Sequence, residues 1–429
     1  MRSSKRILLC VLAGLVCLSA CKKDEPESPV PGQKVARMAK SSKRGVAFNF
    51  NHVSDLPLLS PYITWDYNWG NTTSDNSARW FDVEGIDFCP MCWNGNYNTD
   101  AIRAYVATHP KTKYLLAFNE PNLTDQANMT PTQAAALWQP VVALAKELNL
   151  KLVSPAMNYG TLSGYNDPVK WLDEFFAQPQ VSIDDIYAIA VHCYMSSPNA
   201  VKDYIEKFRK YGKPVWLTEF CAWDPKPSSE ETQINYMSTV LDYLECEPLV
   251  ARYAWFIPRY TGGNDPYMRL ITNADPGELT AAGKVYCGFS SFDKNSYLNT
   301  EWISAGSYCA REGNVPSIRP NTDAQVANLD LPLMITNAGE NMSMEYHVVL
   351  PDKASSIAIR TTGYANATVR IWIDDQEVAT TSVAATKGLD NWTSTSCAID
   401  ERQRPSAGGH TVRLEWLSGN CLYSAFRLR

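Results

Sequence analysis

The chain has 429 residues, 45% hydrophobic and 20% charged, with 26 Pro, 22 Gly and a formal net charge of −6. This is a globular composition, long enough for about two to three domains at roughly 150 residues each. The mildly acidic balance argues against nucleic acid or an anionic membrane surface as a partner.

The chain opens on an address. Arg2, Lys5 and Arg6 precede the apolar run from Ile7 to Val16, and Leu18-Ser-Ala-Cys21 follows. The run is shorter than the about 20 apolar residues that span a bilayer, so it reads as an export signal. Leu18-Ser-Ala-Cys21 resembles the bacterial lipobox. That resemblance implies cleavage before Cys21, acylation of its thiol, and display on the outer membrane or cell surface. A plain secretory signal cut elsewhere is the alternative. Lys22-Lys-Asp-Glu25 resembles the acidic export tag of surface lipoproteins. Residues 22–43, with Pro26, Pro29, Pro31 and Gly32, read as a flexible tether. Membrane contact is expected only through the lipid. Nine cysteines lie beyond Cys21, an odd number that leaves at least one thiol free and the pairing open. Cys89-Pro-Met-Cys92 has CxxC spacing, but no second CxxC or nearby His completes a metal site.

From Gly45 to about Cys287, apolar runs alternate with helix-length segments. The runs are 45–50, 62–67, 85–89, 113–118, 151–155, 186–194, 213–218 and 252–256. Eight strand–helix units predict a (β/α)₈ barrel over residues 44–295. Thr130-Pro-Thr-Gln133 predicts a capped helix running to about Leu148. Further helices are expected over 168–176, 199–211 and 231–245. Residues 51–61 hold Pro57 and Pro61 and leave little room for one, so the outer ring is incomplete there. After residue 295 the runs alternate apolar and polar, as in Met342-Ser-Met-Glu-Tyr-His-Val-Val-Leu350 and Ala367-Thr-Val-Arg-Ile-Trp-Ile373. That pattern predicts an all-β jelly-roll sandwich over 296–429.

Two carboxylates end apolar runs: Glu120 in Ala117-Phe-Asn-Glu-Pro-Asn122 and Glu219 in Val215-Trp-Leu-Thr-Glu-Phe220. The mouth of a parallel barrel is where α/β enzymes do chemistry. A carboxyl pair built from two strands is what a glycosidase requires. Asn119-Glu120-Pro121 at strand four with Glu219 at strand seven resembles clan A glycoside hydrolases. The resemblance makes Glu120 the acid/base, Glu219 the nucleophile, and Asn119 the partner of the sugar 2-hydroxyl. Phe118-Asn-Glu-Pro-Asn122, Val191-His-Cys-Tyr194, Trp216-Leu-Thr-Glu-Phe220 and Tyr253-Ala-Trp-Phe256 are similar to glycoside hydrolase family 128, which acts on β-1,3-glucan. By that likeness Tyr194 holds the nucleophile, Trp255 floors the cleavage subsite and His192 is their neighbour. Trp65, Trp69, Trp93, Tyr159 and Trp223 follow strands and are candidates to stack on pyranose faces. The sandwich resembles a family 6-type carbohydrate-binding module, with Tyr364 and Trp392 as loop aromatics.

The expectation is a monomeric, retaining endo-β-1,3-glucanase working by double displacement on β-glucan, without metal or organic cofactor. Another clan A β-glycosidase with a different polysaccharide, or a non-catalytic surface glycan-binding protein, are the alternatives.

Overall fold

The computed structural model describes residues 40–429 except 264, 293–295, 300 and 301. The signal segment, Cys21 and most of the tether lie outside the described residues. Ser41 to Lys43 do not belong to a tether. Ser41 is buried and its Oγ donates to Glu245 Oε2 at 2.8 Å. Lys43 Nζ donates to the carbonyls of Leu244, Glu245 and Glu247. Polar side chains that cap a helix end this way are part of the folded unit.

The first eight strands are β1 (Arg44–Ala47), β2 (Trp65–Tyr67), β3 (Asp87–Phe88), β4 (Tyr114–Leu116), β5 (Lys151–Val153), β6 (Ile186–Met195), β7 (Val215–Asp224) and β8 (Val250–Trp255). They form one sheet in the order β3-β2-β1-β8-β7-β6-β5-β4. Cys92 N donates to Leu116 O and Leu116 N to Pro90 O, at 2.8 and 2.9 Å, joining the segment after β3 to β4. The parallel sheet is thereby closed into a barrel. After β1 only a 3₁₀ turn, Val53–Asp55, and a four-residue helix, Leu56–Leu59, stand in the outer ring. Thr130 and Gln133 make the reciprocal cap expected of their spacing. The helix expected from 130 to 148 is two helices, Pro131–Ala136 and Trp138–Glu147. Pro140 explains the break, because it has no N–H for the carbonyl four residues back. The segment expected to be helical to Tyr211 tightens into 3₁₀ turns after Glu206.

Inside the barrel, Trp65, Tyr67, Tyr114 and Trp216 interdigitate with Ala47, Ala188, Ala190 and Ala254. Large rings fit because the facing strands carry small residues. Gly45 is the limiting case: a Cβ there would meet the Trp65 ring at 2.5 Å.

The remaining strands are β9 (Ser296–Leu298), β10 (Ile303–Ser304), β11 (Ala310–Gly313), β12 (Ile318–Pro320), β13 (Leu333–Gly339), β14 (Met342–Leu350), β15 (Ser356–Gly363), β16 (Ala367–Ile373), β17 (Gln376–Val383), β18 (Gly388–Ala398), β19 (Gly408–Ser418) and β20 (Asn420–Leu428). They build two mostly antiparallel sheets, β12-β13-β20-β15-β18 and β11-β14-β19-β16-β17. Along β14, Met344, Tyr346 and Val348 are buried while Glu345 and His347 are not, the period-two pattern of a sandwich strand. Trp392 lies within β18 rather than in a loop, whereas Tyr364 projects from the β15–β16 connection and is 72% exposed. The sandwich is docked on the barrel. Arg311 pairs with Asp242, its Nε 2.7 Å from Oδ1, and Tyr62 Oη donates to Asp330 at 2.9 Å.

A candidate active site at the mouth of the barrel

Side-chain alternation decides what enters the barrel. On β6, Ala188 and Ala190 face inward, so His192 and Tyr194 follow them to the mouth. On β7, Trp216 faces inward, and strict alternation would turn Glu219 outward. The β6–β7 register shifts between Val191↔Leu217 and His192↔Glu219, leaving Thr218 as an extra residue. This bulge re-aims the strand, and Glu219 comes in opposite His192. Glu120 reaches the same place by another route. It follows β4 with φ 43° and donates its N–H to Ala156 O at 3.0 Å. A left-handed backbone at a non-glycine residue costs about 1–3 kcal/mol and is held only where neighbours over-determine it.

The carboxylates are densely held. Glu219 Oε1 accepts from Tyr67 Oη at 2.7 Å and Trp69 Nε1 at 2.8 Å, and Tyr194 Oη donates to Oε2. Glu120 Oε1 accepts from Asn158 Nδ2 and is bonded to His192 Nδ1, both at 2.9 Å. His192 Nε2 stands 3.5 Å from Glu219 Oε1, beyond a good hydrogen bond, and is otherwise unpaired. One oxygen of each glutamate and a ring nitrogen of His192 all lie within 4.8 Å of one another. Asn119 is buried, with Nδ2 on Gln126 Oε1 at 3.2 Å and Oδ1 unpartnered.

Burial pushes the Glu120 carboxyl up, but the His192 charge and the bonds from His192 and Asn158 outweigh it and hold it below its ordinary value. Burial likewise draws His192 down, and Glu219 and Glu120 more than reverse that. Burial and the Glu219 charge keep Tyr67 and Tyr194 protonated, as donors. The imidazole and carboxylates have the donor types of a metal triad. Yet Glu219 already accepts three protein hydrogen bonds and His192 Nδ1 is engaged by Glu120, so few lone pairs remain for an ion.

Two expected platforms are elsewhere. Trp65 is fully buried in the barrel interior, stacked on Tyr67 and 5.2 Å from Trp216, with Nε1 donating to Lys43 O. Trp255 is also fully buried, on the outer face of β8 against Phe220 and Tyr286, with Nε1 on Met268 O. Neither ring can meet a sugar. Ala254 faces inward, so the next inward position is Phe256, two residues on and just past Trp255. Its ring lies 5.4 Å from Tyr194 and 5.9 Å from Trp69. Trp93 is partly exposed at the mouth, and its carbonyl accepts from Asn119 N. Trp223 packs on Tyr194, and Tyr159 is 43% exposed beside Lys207. Sequence reasoning missed Tyr67, Asn158 and Phe256. Tyr67 shares the inward face of β2 with Trp65, and that two-residue spacing was the available signal.

A clustered acid pair at the C-terminal mouth of a closed parallel barrel defines the glycosidase class of site. The comparisons agree. The family model described as "Glycosyl hydrolase catalytic core" matches residues 45–286. A GH128 subgroup II endo-β-1,3-glucanase from Pseudomonas viridiflava is 38% identical, with TM-score 0.53, over 58% of this chain and 98% of its own. Its counterpart from Sorangium cellulosum is 34% identical, with TM-score 0.51, over 57% and 97%. Alkali-sensitive linkage protein 1 of Schizosaccharomyces pombe is 26% identical over 260 residues, 57% of this chain and 44% of that protein. The chain thus spans less than half the length of that curated relative. The chain belongs to the glycosyl hydrolase catalytic core family and, through its barrel, to GH128.

Proposed function

We propose that the protein is a retaining endo-β-1,3-glucanase. The observation that carries this reading is the spacing of Glu120 and Glu219, whose nearer oxygens lie within 4.8 Å. Retaining pairs stand about 5–5.5 Å apart, whereas inverting pairs need roughly 6.5–9.5 Å to admit a water. Glu219, oriented by Tyr67, Trp69 and Tyr194, attacks the anomeric carbon to form a glycosyl ester. Glu120 protonates the departing glycosidic oxygen and then takes a proton from water as the ester is hydrolysed. The proton it needs lies within reach on His192 Nδ1, 2.9 Å away. Asn119, directly before Glu120 in Asn119-Glu120-Pro121, is the residue assigned to the sugar 2-hydroxyl.

The substrate and the endo mode are supported by the two endo-β-1,3-glucanases matched at 38% and 34% identity over nearly their whole length. Display as a lipoprotein through Cys21 rests on Leu18-Ser-Ala-Cys21. A glucan-binding role for the sandwich rests on exposed Tyr364.

Product analysis on linear β-1,3-, β-1,4- and mixed-linkage glucans tests the reading, with Glu120→Gln and Glu219→Gln in parallel. Internal cleavage of β-1,3-glucan alone is expected, releasing a ladder of oligosaccharides with initial retention. Each variant should lose at least about 10²–10⁴-fold in rate. Binding without cleavage by the parent would replace the enzyme with a glycan receptor.

A further inference from the structure

A second convergence of metal-binding side chains lies on the sandwich. Cys309, Glu345 and His347 each offer a donor atom, and these atoms all lie within 4.8 Å of one another. The fold makes this meeting specific. Glu345 and His347 are two apart on β14 and share its outward face, the core face being taken by Met344, Tyr346 and Val348. Cys309 immediately precedes β11, whose first residue, Ala310, pairs with Glu345. The Cys309 N–H donates to Glu345 O at 2.8 Å, and its Sγ lies 3.4 Å from the same oxygen. The thiol is thus anchored by backbone at the point where the neighbour of β14 changes from β9 to β11.

We propose that Cys309, Glu345 and His347 form a zinc site. Thiolate, imidazole and carboxylate are the ligands zinc takes, at about 2.0–2.3 Å, which places tetrahedral donors about 3.3–3.8 Å from one another. Small rotations of the Glu345 and His347 side chains close the observed spread to that range. One thiolate and one carboxylate neutralise a divalent ion, and three protein ligands leave the fourth position to water. Binding ionises the thiol and releases its proton to solvent. All three residues are partly exposed, so an ion has access. Arg413, the cross-strand neighbour of Glu345 on β19, does not oppose a cation there. Its guanidinium stacks 4.4 Å from the Trp372 ring, toward β16 on the opposite side from Cys309. A nucleophilic relay fits less well, because His347 Nε2 is 3.8 Å from Glu345 Oε1, too far for the bond that would orient the base. The ion would pin the segment entering β11 to β14, next to the Arg311–Asp242 pair that docks the sandwich on the barrel.

The test titrates chelator-treated full chain with Co²⁺, then with Zn²⁺. One Co²⁺ per chain is expected to give a thiolate-to-cobalt charge-transfer band, which Zn²⁺ abolishes, and Zn²⁺ should raise the thermal midpoint. The mouth of the barrel offers no thiol to a metal, so Glu120→Gln should leave the band intact. Cys309→Ser should remove it, and His347→Ala should weaken Co²⁺ binding at least tenfold. No thiolate band in the parent would overturn the site. So would a band persisting in folded Cys309→Ser, or undiminished affinity in His347→Ala should the serine variant not fold.

Discussion

The floor and the mouth of the barrel both bury charge, and they treat it differently. At the floor, Arg252 reaches between the rings of Tyr114 and Trp216, 4.5 and 4.7 Å from their centroids, and pairs with Asp87 at 2.6 Å. Each charge there has its counterpart, and aromatic faces close the cationic end. At the mouth, two carboxylates share one imidazole, Asn119 Oδ1 and His192 Nε2 lack partners, and Glu120 sits in a left-handed backbone. A satisfied network stabilises, whereas an unpaired buried polar group costs stability, so the mouth is held at the expense of the fold. A cavity of about 620 Å³ does open at the floor end, lined in part by Asp87, Lys113 and Lys151. It holds none of the carboxylate geometry of the mouth.

If the floor serves folding and the mouth serves chemistry, variants in the two should separate stability from turnover. Asp87→Ala strands the Arg252 guanidinium among apolar rings, and loss of one partner of a buried pair costs about 3–5 kcal/mol. Denaturant titration should show that loss, while the folded fraction keeps kcat/KM within about twofold by the same logic of separation. A comparable fall in kcat/KM of the folded protein would mean the two ends are coupled. Tyr67→Phe is the converse. It removes the bond of a neutral donor to a charged acceptor, but Trp69 and Tyr194 keep Glu219 bonded in the folded ground state. If that bond strengthens as Glu219 is positioned for attack, kcat/KM falls about 10–100-fold with little change in unfolding midpoint. A loss confined to stability would place Tyr67 with the floor.

The barrel was legible because parallel strands buried on both faces read as apolar runs, and the eight expected runs overlap the eight observed strands. Both glutamates were legible because each ends such a run. What failed was parity. Trp255 and Phe256 are adjacent aromatics, and only the inward position of Ala254 shows which one faces the mouth. Trp65 heads the same strand as Tyr67, but two residues lower it is barrel filling. The bulge at Thr218 is the sharpest case. Counting from Trp216 by twos would have turned Glu219 away from the site, and no local composition signals the extra residue. In the sandwich β14, β15, β16, β19 and β20 were evident from their alternation, whereas β18, eleven residues long but polar and mostly exposed, was missed with β13 and β17, and β9 and β10 are too short to carry a pattern.

The smallest expected effect tests whether His192 is charged in the folded protein. Its pKa is raised above 6.5, because Glu219 and Glu120 outweigh the depression from burial. A raised folded value stabilises fully below the unfolded pKa and fades as pH climbs through the folded one. Glu120 has the opposite sign. Its folded value lies below 4.5, so its share is present above that pH and is lost as pH falls through the folded value. Both contributions therefore coincide in a window of about pH 5–6. His192→Asn removes the cation and leaves Glu120 beside Glu219 with Asn158 as its remaining donor. The stability difference between parent and variant, followed by denaturant titration at successive pH values, should peak in that window and shrink toward alkaline pH. A deficit of constant size from pH 5 to 9 would mean that His192 is a packed neutral ring, and that the proton attributed to its pair with Glu120 resides elsewhere.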